Sequence, residues 1–212
     1  MTRPLPLGIL ISGRGTNLAA IHAAIVAGRL DARIVAVCSN RPEAPGVAWA
    51  RAQGLPVALF PRSAYPSRAA AQAAMAAHLQ AVGAELVVLA GWDQVLVPSF
   101  VAAFAGRLLN VHPSLLPAFA RTMHAVEEAL AYGVKITGCT VHYVTEEVDA
   151  GPIILQAAVP VYDDDTPETL LARIHEQEHQ LLPRAIALHA AGRLRVEGRR
   201  VRILPDPAAE PR

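Results

Sequence analysis

Hydrophobic positions in the first half of the chain fall into short β-branched runs separated by longer alanine-rich stretches. Runs of this length are typical of buried strands, and the stretches between them repeat their apolar residues with a helical period. The predicted strands are residues 7–11, 33–38, 57–59, 86–90 and 108–111. The predicted helices are residues 17–27, 47–53, 68–82 and 98–104. This β-α-β alternation predicts an α/β fold, a mostly parallel twisted sheet with helices on both faces.

The second half has a different pattern, which predicts mixed or antiparallel strands. Residues 123–132 favour a helix, and two strand-like runs at 136–144 and 153–161 could pair as a hairpin with a long loop. A long helix is predicted over 167–191, and the last twenty residues indicate one or two edge strands and a frayed tail.

That long helix has recognisable ends, because Thr166 is a good N-cap and Gly192 can close the C-terminus. Internal repeats and low-complexity linkers are absent from the sequence. We therefore predict a single domain over residues 1–212, with a first half of about 1–105 and a second of about 106–205.

The composition excludes several classes of function. The 212 residues are 53% hydrophobic and carry a net charge of +1, which gives no indication of a nucleic-acid partner. The one lysine, Lys135, lies outside any glycine loop, so a P-loop or Schiff-base lysine is not expected. Apolar runs fall short of the roughly 18 residues that a membrane span needs. Cys38 and Cys139 lie in apolar runs and are expected to be buried free thiols of a cytoplasmic protein without a metal site.

The first candidate site is the stretch "LISGRGTNL", where a strand ends, glycines make a tight turn and a helix opens at Thr16 and Asn17. Free backbone N–H groups and the helix dipole make such a turn an anion site. A plain strand-to-helix turn is the alternative. A dinucleotide site fits less well, since Leu18 stands where a third glycine is required, and a single phosphate monoester fits better.

The second candidate site is "LLNVHPSLLP", which places Asn110 and His112 at the carboxyl end of a predicted parallel strand, the edge where ligands bind in such sheets. An amide and a charged imidazole can both donate hydrogen bonds to a developing oxyanion. Pro113 and Pro117 prevent a simple helix from following. The alternative is a satisfied core histidine with an asparagine that caps the turn.

The third candidate is Asp149 in "TVHYVTEEVDAGP", where Gly151 and Pro152 impose a defined backbone. An imidazole that faces a carboxylate stays protonated more readily at neutral pH. An asparagine, a charged histidine and an aspartate form a metal-free set of groups suited to acyl transfer. His142 could join them or be an inward-facing structural histidine, and the neighbouring glutamates are expected to be solvated.

Five segments together resemble the glycinamide ribonucleotide formyltransferase family: "ILISGRGTNL", "VLAG", "LLNVHPSLLPAF", "GVKITGCTVHYVTEEVDAGPIILQ" and "IHEQEH". The resemblance runs from Leu7 to the end of the chain. It implies a Rossmann-like formyltransferase fold. It also implies transfer of the formyl group of 10-formyltetrahydrofolate to the amine of 5-phosphoribosylglycinamide, a step of purine biosynthesis that uses small-molecule substrates and no metal. A monomer or a homodimer is expected.

The resemblance also implies site residues. Asn110, His112 and Asp149 resemble the catalytic residues, the histidine as proton donor. The residues similar to those that bind phosphoribosylglycinamide are Gly15, Thr16, Asn17, Leu18, His175 and Glu178. The residues similar to those that bind folate are Arg68, Asp93, Gln94, Val95, Leu96, Asn110, Thr145 and Asp149. By the same resemblance, the first half binds phosphate and the second half binds folate and carries the catalytic groups.

The sequence differs from the family pattern in two segments near the residues that the resemblance assigns to folate binding. After "AG" the family usually has an aromatic residue followed by Met-Arg-Ile-Leu, whereas residues 92–96 here are "WDQVL", so the usual arginine is lost. The loop of residues 120–123 is one residue longer than usual. This altered loop favours one alternative, a non-catalytic phosphate-ester binder on the same fold. A formyltetrahydrofolate hydrolase or a methionyl-tRNA formyltransferase is expected to need a further domain.

Overall fold

The structure is a computed structural model that describes residues 3–206, and its centre is one nine-stranded sheet. The strands are β1 (Leu5–Ile11), β2 (Ala32–Ser39), β3 (Val57–Leu59), β4 (Leu86–Leu89), β5 (Leu108–His112), β6 (Ile136–Tyr143), β7 (Ile153–Pro160), β8 (Leu194–Glu197) and β9 (Arg200–Ile203). The helices are α1 (Thr16–Val26), α2 (Pro45–Ala52), α3 (Arg68–Ala81), α4 (Pro98–Ala103), α5 (Ala125–Tyr132) and α6 (Pro167–Ala190). A short 3₁₀ turn, Arg62–Ala64, precedes α3.

The sheet order is β3-β2-β1-β4-β5-β6-β7-β9-β8. The first five strands are parallel to their neighbours, β5 pairs antiparallel with β6, and β6 pairs antiparallel with β7. These findings confirm the predicted α/β class, the parallel first half and the hairpin of β6 and β7. The terminal residues do form two strands, of which β8 is the sheet edge. The predicted frayed tail lies largely outside the described residues.

The central strands are hydrophobic on both sides because helices cover both faces of the sheet. One apolar cluster packs α1 and α6 against one face, with Ile21, Ile174 and Leu182 fully buried. The other packs α3 and α4 against the opposite face, with Phe100 and Phe104 fully buried. This burial of β1, β4 and β5 explains why those strands are continuous apolar runs in the sequence.

The residues that cap the long helix α6 are those that the sequence predicts. The Thr166 hydroxyl accepts a hydrogen bond from the backbone N–H of Thr169 and caps α6, and Gly192 has a φ of +64° just beyond it. Gly15 precedes α1 with a φ of +76°, a conformation that favours glycine. A β-carbon at Gly15 would also lie 2.9 Å from the Cα of Gly46, so the turn before α1 depends on this glycine.

Candidate active site

A cleft of about 380 Å³ opens at the carboxyl ends of β4 and β5, beside the start of α1 and the middle of α6. Its walls bring together residues that are far apart in the sequence. They include Asn17, Trp92, Asp93, Gln94, Val95, Leu96, Asn110, His112, Arg121, Met123, His142, Thr145, Asp149, His175 and Glu178. Most of the predicted site residues therefore share one cavity, at the sheet edge where ligands bind in parallel α/β folds.

His112 and Asp149 face each other in this cleft, with Nδ1 of the histidine 3.6 Å from Oδ2 of the aspartate. Both side chains are more than nine-tenths buried. The other ring nitrogen of His112, Nε2, is 2.8 Å from the carbonyl oxygen of Phe119. Because a carbonyl can only accept, Nε2 carries a hydrogen, and Nδ1 is the nitrogen that faces the carboxylate.

The position of Asp149 is fixed by its own backbone conformation and by the loop that contains Arg121. It has a φ of +55°, and its Oδ2 accepts a hydrogen bond of 2.8 Å from the backbone N–H of Arg121. A β-carbon at Gly151 would lie 1.7 Å from the carbonyl oxygen of Tyr143. The glycine after Asp149 is thus required for the chain to turn back here, as the sequence indicated.

Asn110 is oriented by a histidine on the next strand. Antiparallel pairing of β5 and β6 places Asn110 opposite His142, and the Asn110 Nδ2 lies 3.2 Å from the His142 Nε2. The His142 Nδ1 is 2.9 Å from the carbonyl oxygen of Tyr143, so that nitrogen carries the hydrogen and Nε2 accepts from the amide. Burial lowers the pKa of His142 and outweighs the opposing effects of this hydrogen bond and of the Asp149 charge. A neutral His142 therefore accepts one amide hydrogen of Asn110, and the second has no partner among residues 3–206.

A second polar group lies where α1 meets α6. The Asn17 Nδ2 donates a buried hydrogen bond of 2.8 Å to the Glu178 Oε2, and the Asn17 Oδ1 is buried without a partner within residues 3–206. Burial raises the pKa of Glu178, and the bond from Asn17 partly offsets this. His175 lies 3.8 Å from the same carboxylate. Burial, the charge of Arg14 and the neighbouring His179 lower the pKa of His175 to about 4.

The remaining predicted residues differ in what they offer a ligand. Gly15 and Thr16 form the turn and first position of α1, and the side chain of Leu18 is fully buried in the core, so only its backbone could face a ligand. Arg68 does not line the cleft. It lines a shallower depression next to it, which shares Asp93, Gln94 and Val95 with the cleft.

The altered loop between β5 and α5 reaches across the cleft. Phe119 and Arg121 both have positive φ values, of 51° and 64°. The Arg121 guanidinium pairs with Glu147, and the Thr122 hydroxyl donates to Glu128 at 2.6 Å. Glu147 is an exposed carboxylate, as the sequence predicted, and it also forms an ion pair with the loop.

Three polar residues near the cleft were not identified from the sequence. Ser12 and Asn40 follow β1 and β2, at the same sheet edge as Asn110, and both bond to the segment that contains Asp93. Gln72, in the alanine-rich α3, is 1% exposed and bonds to the backbone of Val95 and Val97. The only available signal was position: a polar residue directly after a buried strand, or a single amide on an apolar helix face.

Cys38 and Cys139 are buried free thiols, as expected, and burial raises the pKa of each to about 12. Across residues 3–206, groups of three or more histidine, cysteine, aspartate or glutamate side chains placed to hold a metal ion are not found. Over the same residues, none of the helices has the length and apolar character needed to cross a bilayer.

The fold and this cleft define a class of protein. The chain belongs to the formyl transferase family, which it matches over residues 7–186. It is 41% identical over 191 residues to the phosphoribosylglycinamide formyltransferase of Haemophilus influenzae, and the match covers 90% of each chain. It is 44% identical over 191 residues to the trifunctional purine biosynthetic protein adenosine-3 of Drosophila pseudoobscura pseudoobscura, covering 89% of this chain but only 14% of that protein. The solved structure of glycinamide ribonucleotide transformylase 1 from Symbiobacterium toebii superimposes with a TM-score of 0.94 at 50% identity, covering 97% of this chain and 96% of that one.

Proposed function

We propose that this protein transfers the formyl group of 10-formyltetrahydrofolate to the amine of 5-phosphoribosylglycinamide, a step of purine biosynthesis. The observation that carries the proposal is the meeting of Asn110, His112 and Asp149 in one buried cleft. Family membership and the relatives that share nearly the whole chain support the choice of reaction. The amine of the substrate is itself the nucleophile, which accounts for the use of an amide, an imidazole and a carboxylate.

In the proposed mechanism the amine attacks the formyl carbon, and the formyl oxygen becomes an oxyanion. The free amide hydrogen of Asn110 donates to this oxygen, since the other is committed to His142. His112 acts as an imidazolium. Its Nε2–H is held by the Phe119 carbonyl, so we assign proton donation to Nδ1, on the side that faces Asp149.

The proton balance of the reaction gives Asp149 its role. The attacking amine must lose one proton, and N10 of the folate must gain one as the C–N bond to the formyl carbon breaks. Asp149 can accept the proton from the amine, directly or through a water molecule, and its charge compensates that of the imidazolium. The Arg121 N–H that bonds to Oδ2 keeps the carboxylate in place during this exchange.

We assign the phosphoribosyl part to the group at the start of α1 and the middle of α6. The N-terminus of α1, with Gly15 and Thr16, offers backbone N–H groups to a phosphate. The Asn17 Oδ1, which has no partner in the described part of the chain, and the Glu178 carboxylate are acceptors for hydroxyl or amide hydrogens of the substrate. The folate would then lie along residues 92–96 and Thr145, on the opposite wall.

The test is a steady-state assay that follows both formylated product and free formate, with 10-formyltetrahydrofolate as donor. His112→Ala and Asp149→Asn should lower kcat by about a hundredfold or more, with much smaller changes in binding of phosphoribosylglycinamide, because both groups act in the transition state. Asp163→Asn is a matched control, since Asp163 is an exposed carboxylate paired with Lys135.

Near-normal turnover of either variant would show that the assigned roles are wrong. The alternative candidate, a non-catalytic phosphate-ester binder, is favoured by the altered loop at Arg121 and Thr122. It predicts tight binding of phosphoribosylglycinamide by the unchanged protein without formyl transfer. Release of formate without formylated product would instead indicate a hydrolase.

A further inference from the structure

One wall of the cleft, residues 92–96, has no regular secondary structure and lies between β4 and α4. Its position therefore depends on side-chain contacts rather than on a strand or helix ladder. Gln72 fixes the far end, because its amide donates to the Val95 carbonyl at 3.1 Å and accepts from the Val97 N–H at 2.7 Å. The near end is fixed by Asp93, at a position where the sequence departs from the family pattern.

Asp93 belongs to a closed ring of three hydrogen bonds. The Ser12 hydroxyl donates to the Asn40 Oδ1 at 2.7 Å, and the Asn40 Nδ2 donates to the Asp93 Oδ1 at 2.8 Å. The backbone N–H of Asp93 donates to the Ser12 hydroxyl oxygen at 3.1 Å and closes the ring. Each member therefore orients the next, which makes the ring more rigid than three separate bonds.

The second oxygen of the carboxylate is also used. The Asp93 Oδ2 forms an ion pair with the guanidinium of Arg41, so both oxygens are bound by residues that directly follow β2. The Asp93 side chain is only 22% exposed, although it borders the cleft. Its carboxylate is thus directed to the ends of β1 and β2, where it is already fully engaged.

The contacts of Asp93 fix the position of the backbone in this wall. Within residues 3–206 the backbone N–H and C=O groups of Gln94 and Leu96 have no hydrogen-bond partner. Both residues line the cleft, so these groups are available to a planar, hydrogen-bonding ring system such as a pterin. A shift of the wall by even one ångström would misplace them, because hydrogen bonds are steep in distance and angle.

We infer that Asp93 is a positioning residue for the formyl donor: its carboxylate holds the folate-facing wall in place through Ser12, Asn40 and Arg41 without contacting the ligand. This inference rests on the proposed function and deepens it. It predicts a selective effect on the donor side, because Asn110, His112 and Asp149 are held by other contacts.

The experiment measures both KM values and kcat for Asp93→Ala, Asp93→Asn and Asn40→Ala. Asp93→Ala should raise the KM for 10-formyltetrahydrofolate by about tenfold or more, because it removes two charge-assisted contacts, while kcat and the KM for phosphoribosylglycinamide change by less than about threefold. Asp93→Asn keeps an acceptor for Asn40 and should recover part of the loss. In the double variant Asp93→Ala/Asn40→Ala, which completes the cycle, the second change should add little to the first, since both break the same ring.

A direct binding measurement separates this inference from the proposed function. The probe is a tetrahydrofolate analogue with carbon in place of N10, titrated by calorimetry into the unchanged protein, the three variants and the exposed control Asp163→Ala. The expected result is a Kd raised about tenfold in Asp93→Ala and unchanged in the control. Equal Kd values in the unchanged protein, Asp93→Asn and Asn40→Ala would overturn the inference about Asp93 but would not contradict the proposed function. Failure of the unchanged protein to bind the analogue would overturn both.

Discussion

Asn110→Ala is the sharpest test of the proposed oxyanion contact. The Asn110 amide has two hydrogens on Nδ2, and the 3.2 Å contact with the His142 Nε2 uses one of them. The other is the only part of this side chain that the mechanism requires. Removing one oxyanion donor from an enclosed site costs about 10²–10³ in kcat, or about 2.7–4 kcal/mol of transition-state stabilisation.

The same substitution has a smaller and separable effect on folding. It removes one hydrogen bond, worth about 1 kcal/mol, and leaves the buried His142 Nε2 without its donor. Asn110→Asp removes the same two hydrogens without shortening the side chain, and the urea melts measure the effect on folding separately. An aspartate has nearly the shape of asparagine but no N–H, so it should lose at least as much activity as the alanine variant.

The assay is formyl transfer at saturating concentrations of both substrates, with urea unfolding of each variant. The values of kcat and kcat/KM should fall together, because the contact forms only in the transition state. Gln80→Ala, which removes an exposed amide on α3, is the control. A kcat within about threefold of the unchanged protein in Asn110→Ala, with normal folding, would refute the assignment of Asn110 as a donor.

Three further predictions concern the surroundings of the site. Burial lowers the pKa of His175 to about 4 against 6.5 in an unfolded chain, so the unfolded state takes up a proton first and stability falls as the pH drops through this window. Between about pH 7.5 and about pH 4.5, the unchanged protein should therefore lose about 1–2 kcal/mol more of its free energy of unfolding than His175→Gln does. Urea melts at the two pH values measure the difference, and an equal loss in both proteins would contradict the direction of the pKa shift. Gly151→Ala should destabilise the protein by about 2 kcal/mol in the same melts and lower kcat, because its β-carbon meets the Tyr143 carbonyl. Asn17→Ala should raise the KM for phosphoribosylglycinamide about tenfold, since it removes a polar partner of the substrate and of Glu178, and an unchanged KM would place the phosphoribosyl group elsewhere.

The fold was largely predictable because its elements are locally encoded. The three-residue run of β3 matches its predicted bounds, and the predicted caps of α6, Thr166 and Gly192, are in place. Most other predicted boundaries agree within one or two residues. The strand order, with β9 between β7 and β8, was not predictable, because it depends on packing between distant segments.

The candidate site was predictable only in part. Asn110 and His112 follow from their position at a strand end, and their strand does end at the cleft. The role of His142 was left open because it depends on the register between β5 and β6. The ring around Asp93 joins three segments that are distant in sequence, so periodicity and local motifs carry no sign of it. The assignment of one domain stays a prediction.

The two halves of the reaction centre are supported in different ways. Asn110 and His142 are cross-strand neighbours in the middle of the sheet, so their separation cannot change without breaking its backbone ladder. His112 is likewise on β5, but Asp149 belongs to a loop whose contact with Arg121 closes the site. Asn110, which donates to the oxyanion, and His112 are therefore held rigidly on the sheet, whereas Asp149, which accepts the amine proton, can shift with its loop. Variants selected to accept bulkier acyl donors should consequently accumulate changes in the loops that contain Arg121 and Asp149 and keep β5 and β6 unchanged.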